Sequence, residues 1–286
     1  MESCAAQNTP LEPPELVLVD SASDPEVALP DRFRERIRLV REEVSGLGRA
    51  RARGIRETYG DVLIFADDDT IFPPDYQEKA LRILSERPYL GAIGCQLLPE
   101  FEGPLVLPQH YYWERLALRR FTGDHWSNRW DDFATTPIGG GMVVRRFAAE
   151  EWARKFKHTP WRYELGRKGK SMSGAEDVDL THTVCEMGYG KGVFEELKLT
   201  HIIPRERLTA DFLVKITEGN ARSWAFIRGM LDPVMRPPPR TIAHRIKILA
   251  EAWRRNRLDR ALILAEDRGA YMGWRQVEEA RVLFYA

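Results

Sequence analysis

Val62-Leu-Ile-Phe-Ala66 is an unbroken apolar run that discharges directly into Asp67-Asp-Asp69, with Thr70 following at once. Five apolar residues between Gly60-Asp61 and a charged triplet predict a strand buried on both faces. Such strands belong to sheets covered by helices. Three adjacent carboxylates at the end of this one repel each other, and a divalent cation relieves that cost. Side chains alternate along an extended chain, so Asp67 and Asp69 are expected to point the same way and share a site, with Asp68 on the other side. Mg²⁺ and Mn²⁺ prefer such oxygen ligands and stay part-hydrated while bridging phosphate oxygens.

Working outward, Glu15-Leu-Val-Leu-Val-Asp20 reads as a second buried strand running into the polar loop Ser21-Ala-Ser-Asp24-Pro25, and Arg36–Val40 as a short third. Ahead of them, Met1–Gln7 reads as the tail of a helix leading into a Pro-rich turn through Pro14. Gly46 leads into a helix that Gly60-Asp61 stops. Downstream, Pro73-Pro-Asp75 opens an amphipathic helix with Ala80, Leu81 and Leu84 on one face, and Leu90–Leu98 is the next strand. This alternation predicts an α/β fold whose sheet is mostly parallel and flanked by helices. Ligands collect at the carboxyl ends of strands in such sheets, where Asp20 and Asp67 to Asp69 fall. Further on come an aromatic stretch at 108–133, the glycine loop Gly139-Gly-Gly141, a helix at Ala148–Phe156 and a basic loop, Arg167-Lys-Gly-Lys170. Gly174-Ala-Glu176-Asp177-Val-Asp179 then opens a helix that Gly188 closes, and a helical stretch follows Arg236.

The chain has 286 residues, with 43 basic and 43 acidic side chains, 43% hydrophobic residues and 10% aromatics. That composition excludes disordered and fibrous classes. Zero net charge argues against a nucleic-acid partner, because neutralising several phosphates takes a basic excess. No run of 18 apolar residues spans a bilayer, and Met1–Pro14 has neither the basic start nor the apolar run of a secretory leader. Cys4, Cys95 and Cys185 lie far apart, which fits a reducing, cytoplasmic compartment, with Cys95 and Cys185 as small buried hydrophobes. Residues 236–260 hold eight Lys or Arg against Glu251 and Asp259, readable as a solvated helix face or as peripheral attachment to anionic lipid at the inner face of a membrane.

An apolar strand ending in Asp-x-Asp also begins the aspartyl-nucleophile phosphatases of the haloacid dehalogenase type. Their pattern sets a residue between the second Asp and the Thr, so Thr70 puts this sequence off by one. The whole arrangement instead resembles the family 2 glycosyltransferases of the GT-A fold, over about Glu2–Arg222. Leu16–Asp24 is similar to that family's second strand and nucleotide loop, and Gly46–Ile55 to its G-x-x-x-A-R-N-x-G-I segment, with Ala52 in place of Asn. Asp67–Asp69 resembles its Asp-x-Asp element, Glu176-Asp177 its Glu-Asp element (Thr183 standing where Arg is frequent), and Leu197–His201 its late strand ending in His.

The resemblance implies a nucleotide-sugar site built by Asp20, Ser23, Asp24, Arg51, Asp67 and Asp68, with Asp20 and Arg51 on the base and Asp67 on the ribose. It implies Mn²⁺ or Mg²⁺ held by Asp69 and His201, and Asp177 as catalytic base beside Glu176. Gly139, Gly140, Gly141 and Trp126 would meet the acceptor, a saccharide or lipid-linked hydroxyl, with Arg205, Arg207 and the loop Arg167–Lys170 as helpers at the phosphates. The Gln-x-x-Arg-Trp signature of processive relatives is not matched by Asn220-Ala-Arg222-Ser-Trp224, which implies one sugar per encounter. The domains would be a catalytic residue range 1–222 and a basic helical extension 223–286. The family's first strand has no counterpart ahead of Leu16, so Met1 is expected to be internal to a longer natural chain. A relative that binds nucleotide sugars without turnover is the alternative.

Overall fold

The computed structural model describes residues 1–8, 13–167, 169, 172, 174–238 and 241–285. They form two compact units: Met1–Glu100 with Ala117–Tyr163 and Glu176–Ile203, and Phe101–Leu116 with Glu164–Ala175 and Pro204–Ala286. In chain order the elements are α1 (Glu2–Ala5), β1 (Leu16–Ser21), β2 (Ile37–Glu42), α2 (Leu47–Glu57), β3 (Val62–Ile64), β4 (Thr70–Ile71), α3 (Tyr76–Glu86), β5 (Leu90–Phe101), α4 (His110–Trp113), β6 (His125–Ser127), β7 (Val143–Arg145), α5 (Arg146–His158), α6 (Glu176–Glu186), β8 (Gly190–Ile203), α7 (Ala210–Leu231), α8 (Ile242–Trp253) and α9 (Arg257–Tyr285). The sequence boundary at 222/223 thus falls inside α7.

The expected α/β class holds, with helices on both faces of a sheet, but the sheet is mixed rather than mostly parallel. β1 and β2 pair in parallel as a ribbon of their own. The larger sheet runs β3-β7-β5-β8-β4, and its β3/β7, β5/β7 and β4/β8 ladders are antiparallel, as is the β6/β8 pairing beside them. β3 and β5, the strands joined through α3, do point the same way. The later strand β7 enters between them in the opposite sense, and alternation along the chain carries no information about that insertion.

Period-2 alternation divides the core of the first unit between the two faces of this sheet. Leu63, Ala92 and Val144 pack on Ala52 and Ile55 of α2, Trp152 and Phe156 of α5, and Leu180 and Val184 of α6. Ile93, Cys95 and Val143 face the other way, onto Tyr76, Ala80, Ile83 and Leu84 of α3. Ile83, not Leu81, completes that helix stripe, and Leu81 is only half-buried. Gly188 (φ +84°) ends α6 in the left-handed conformation that favours glycine there.

In the second unit α7 and α9 approach closely. A Cβ at Gly269 or Gly273 would lie 2.1 Å from Glu218 O or 2.2 Å from Arg222 O respectively. Thr209 and Thr241 cap α7 and α8, accepting hydrogen bonds from Phe212 N and His244 N. Among the described residues no helix is long and apolar enough to cross a membrane.

Candidate active site

The β3/β7 ladder continues past Ile64 into the glycine loop: Phe65 N donates to Met142 O at 2.9 Å, and Gly141 N donates to Phe65 O at 2.8 Å. This aligns the chain entering the aspartate triplet with the glycine loop. After Asp67 the chain turns, because Thr70 gives both its N–H (3.3 Å) and its hydroxyl (2.8 Å) to Asp67 O. The turn overrides the extended geometry expected from the sequence. The Asp67 and Asp69 side chains accordingly find different partners instead of sharing one site, and Asp68 is exposed.

Asp69 meets His201. Thr70 pairs with His201 across β4/β8, Ile202 N donates to Asp69 O at 2.8 Å, and Asp69 Oδ2 lies 3.4 Å from His201 Nε2. His201 is buried, and its Nδ1 has no hydrogen-bond partner. A carboxylate oxygen and an imidazole nitrogen at this separation can both reach one ion at bonds of about 2.1 Å, so the donor pair fits Mn²⁺ or Mg²⁺. No cluster of three or more such ligands exists among the described residues. An ion here would therefore complete its shell with water and substrate oxygens, as hard cations in phosphate sites do.

Asp67 turns to Arg51 instead. Arg51, on α2 and 7% exposed, places Nη1 2.6 Å from Glu176 Oε1 and Nη2 3.3 Å from Asp67 Oδ1. Its guanidinium also lies over the Phe65 ring, 5.6 Å from the centroid. Arg51 is thus a buried tie between three segments. Burial pushes the Glu176 carboxyl up to about 7, with Arg51 opposing and Asp177 adding to the rise. Asp177 starts α6 beside it, its Oδ2 accepting from Gly139 N at 3.0 Å and its Oδ1 from Val178 N at 2.8 Å.

The glycine loop is packed against these groups. A Cβ at Gly139 would fall 2.1 Å from Arg51 Nη2, and one at Gly140 3.1 Å from Asp67 Oδ2. Gly141 (φ +84°) lies under Leu199 and Cys95. Asp20, at the end of β1, is 4% exposed and turned into its own loop: it accepts from Ser23 N at 3.0 Å and Val27 N at 3.4 Å and pairs with Arg41 at 2.5 Å. Hydrogen bonding from Ser23, with Val27 and Arg41 assisting, draws its carboxyl down to about 2. Asp24 is exposed in that loop.

Trp126 does not join the cluster. It sits opposite Gly192 on β8, nine residues from His201, which is roughly 30 Å of strand, and stacks on Tyr89. Lys168 and Lys170 of the basic loop lie outside the described residues, and Arg205 and Arg207 belong to the second unit. Two supports were missed from sequence. Arg41 holds Asp20; the equal length of β1 and β2 in parallel register carried the signal, since it sets Asp20 beside Arg41. Asp179, fully buried, accepts from Trp152 Nε1 at 2.7 Å and Arg162 Nε at 2.8 Å. Its position two residues after Asp177 turns it about 200° away around the helix, into the core.

The sequence profile of the glycosyl transferase family 2 matches residues 1–152, more than half of the chain. The chain belongs to this family. An uncharacterized glycosyltransferase of Haemophilus influenzae is 28% identical over 117 residues, which is 38% of this family 2 chain and 40% of that protein. The chain thus spans about two fifths of the length of that curated relative. Solved structures to which it is similar include the mannosyltransferase PcManGT of Pyrobaculum calidifontis in complex with GDP-Man and Mn²⁺ (18% identical, TM-score 0.48, 99% of this chain and 81% of that one). Another is S. aureus TarS 1-349 (12% identical, TM-score 0.44, 99% and 86%).

Proposed function

We propose that this family 2 chain transfers a sugar, with inversion, from a nucleoside-diphosphate donor to a hydroxyl of a saccharide or lipid-linked acceptor. It does so one sugar at a time, on the cytoplasmic side, in polysaccharide or cell-surface glycan synthesis. Family membership supports the reaction class. The observation that carries the reading is that one compact unit holds both the Asp69–His201 pair and the backbone-held carboxylate of Asp177.

Asp177 takes the acceptor proton as the hydroxyl attacks the anomeric carbon, help that is typically worth ~10²–10⁴ in rate. Both of its oxygens are already aimed by backbone N–H groups, which limits the reorganisation needed in the transition state. Asp67, anchored by Arg51, offers its carboxylate to a donor hydroxyl, and Asp20 keeps the nucleotide loop in shape through Ser23 and Val27. Asp69 Oδ2 and His201 Nε2 would hold Mn²⁺ or Mg²⁺, which when bound neutralises the charge growing on the leaving diphosphate.

A screen of nucleotide sugars with Mn²⁺ by thermal denaturation tests this, since binding to the native state raises the melting temperature. One donor is expected to stabilise the protein in a Mn²⁺-dependent way. Asp69→Ala should lose the metal-dependent part of the shift, and Asp177→Asn should lower transfer by ~10²-fold or more while keeping it. Unchanged turnover in Asp177→Asn would remove that residue from the mechanism.

A further inference from the structure

α8 presents the wrong face to solvent for a helix that only packs on its own protein. Ile242, Ile246, Leu249 and Trp253, spaced i, i+4, i+7 and i+11, are 79%, 60%, 46% and 70% exposed. At 3.6 residues per turn they fall within about 60° of arc. The opposite side, His244, Ile248 and Ala252, is the less exposed one, and Ala252 is fully buried. The helix is therefore already seated by its smaller apolar face, and its bulkier one is left over.

We propose that this stripe docks α8 in the plane of an anionic lipid bilayer. The charge pattern names the occupant. Arg245 lies about 40° beyond one edge of the stripe, Lys247 and Arg254 lie about 80–100° beyond the other, and Glu251 projects about 180° away from Ile242. Lys247, Arg254 and Arg255 also line a surface cleft with Ala250 and Glu251, three cations to one anion. An apolar ridge on a helix whose polar surround is net basic matches the boundary between acyl chains and anionic headgroups. Twelve residues of helix reach about 18 Å, short of the ~30 Å hydrocarbon core, so α8 lies along the surface. Trp253 closes the stripe with an indole suited to the headgroup level, and the Arg260 guanidinium stacks 4.4 Å from its ring centroid. A second copy is disfavoured as occupant, because isologous pairing would bring two net-basic helices together.

Co-sedimentation of the full chain with vesicles tests the proposal. Phosphatidylcholine vesicles with ~30 mol% phosphatidylglycerol are expected to bind it at least ~10-fold more than pure phosphatidylcholine, and salt should weaken that binding. Ile246→Glu combined with Trp253→Glu should reduce it ~10-fold or more with the melting temperature unchanged, since both side chains are exposed. Lys247→Glu combined with Arg254→Glu should abolish the preference for the anionic lipid. The proposal fails if the wild type ignores anionic vesicles, or if the Ile246/Trp253 variant sediments like wild type. Binding of polyglutamate in place of vesicles would likewise overturn it and point to an acidic protein. The Mn²⁺-dependent nucleotide-sugar shift is read separately in the same variants, so vesicle binding and sugar transfer stand or fall independently.

Discussion

At Gly139 there is no room for even a methyl group, because the Arg51 guanidinium fills the space where a Cβ would sit. That closeness gathers Arg51, Glu176, Asp67 and Asp177 in one place, and it sets the protonation of the buried carboxyl. Glu176 titrates at about 7 in the folded protein against an ordinary 4.5, so the native state binds its proton more tightly than the unfolded chain does. Its contribution to stability is complete below pH 4.5 and is lost as the pH rises through about 7. Glu176→Gln removes this titration while keeping a hydrogen-bond acceptor for Arg51. The wild-type advantage over the variant is expected to fall by on the order of 1–3 kcal/mol between pH 4.5 and 8, then level off. Calorimetric unfolding across that range checks it; a difference that grows with pH would contradict the burial argument.

Among elements, α6 depends on a contact that its own acidic start conceals. Asp179 is buried between Trp152 and Arg162, and removing one partner of a buried ion pair strands the other charge. Asp179→Ala is expected to cost ~3–5 kcal/mol in urea unfolding, and with it the placing of Asp177 against Gly139. Asp179→Asn, which can still accept from Trp152, should cost less. The onset of this helix was legible, since Glu176-Asp177 after Gly174 is an N-terminal signal, whereas the burial of Asp179 depends on α5 and the segment at 160–164 packing over it. The same division holds elsewhere. Apolar runs bounded by turn residues located β1, β3 and β5, although of these only β5 is buried on both faces. The insertion of β7 between β3 and β5 is a long-range event, and local pattern does not encode it. The segment Asp67–Asp69 reads as extended chain because it continues an apolar strand; the Thr70 hydroxyl, bonded to Asp67 O, closes a turn there instead.

For the molecule as a whole, 43 basic and 43 acidic side chains balance, yet residues 236–260 are strongly basic and the rest is net acidic. Overall repulsion between copies therefore vanishes near the pI of about 7.0, while unlike patches and the exposed stripe of α8 still attract. Solubility is expected to pass through a minimum close to pH 7. The recovery should be asymmetric, because histidines titrate just below neutrality and little titrates just above it. Six histidines are present, and burial lowers the pKa of His182. Lowering the pH by about 1.5 units should then raise solubility more than raising it by the same amount. Precipitation with polyethylene glycol at constant ionic strength measures this directly. A symmetric or alkaline-shifted recovery would show that association is governed by the apolar stripe rather than by net charge, and the Ile246→Glu, Trp253→Glu variant would then be the one to restore solubility at pH 7.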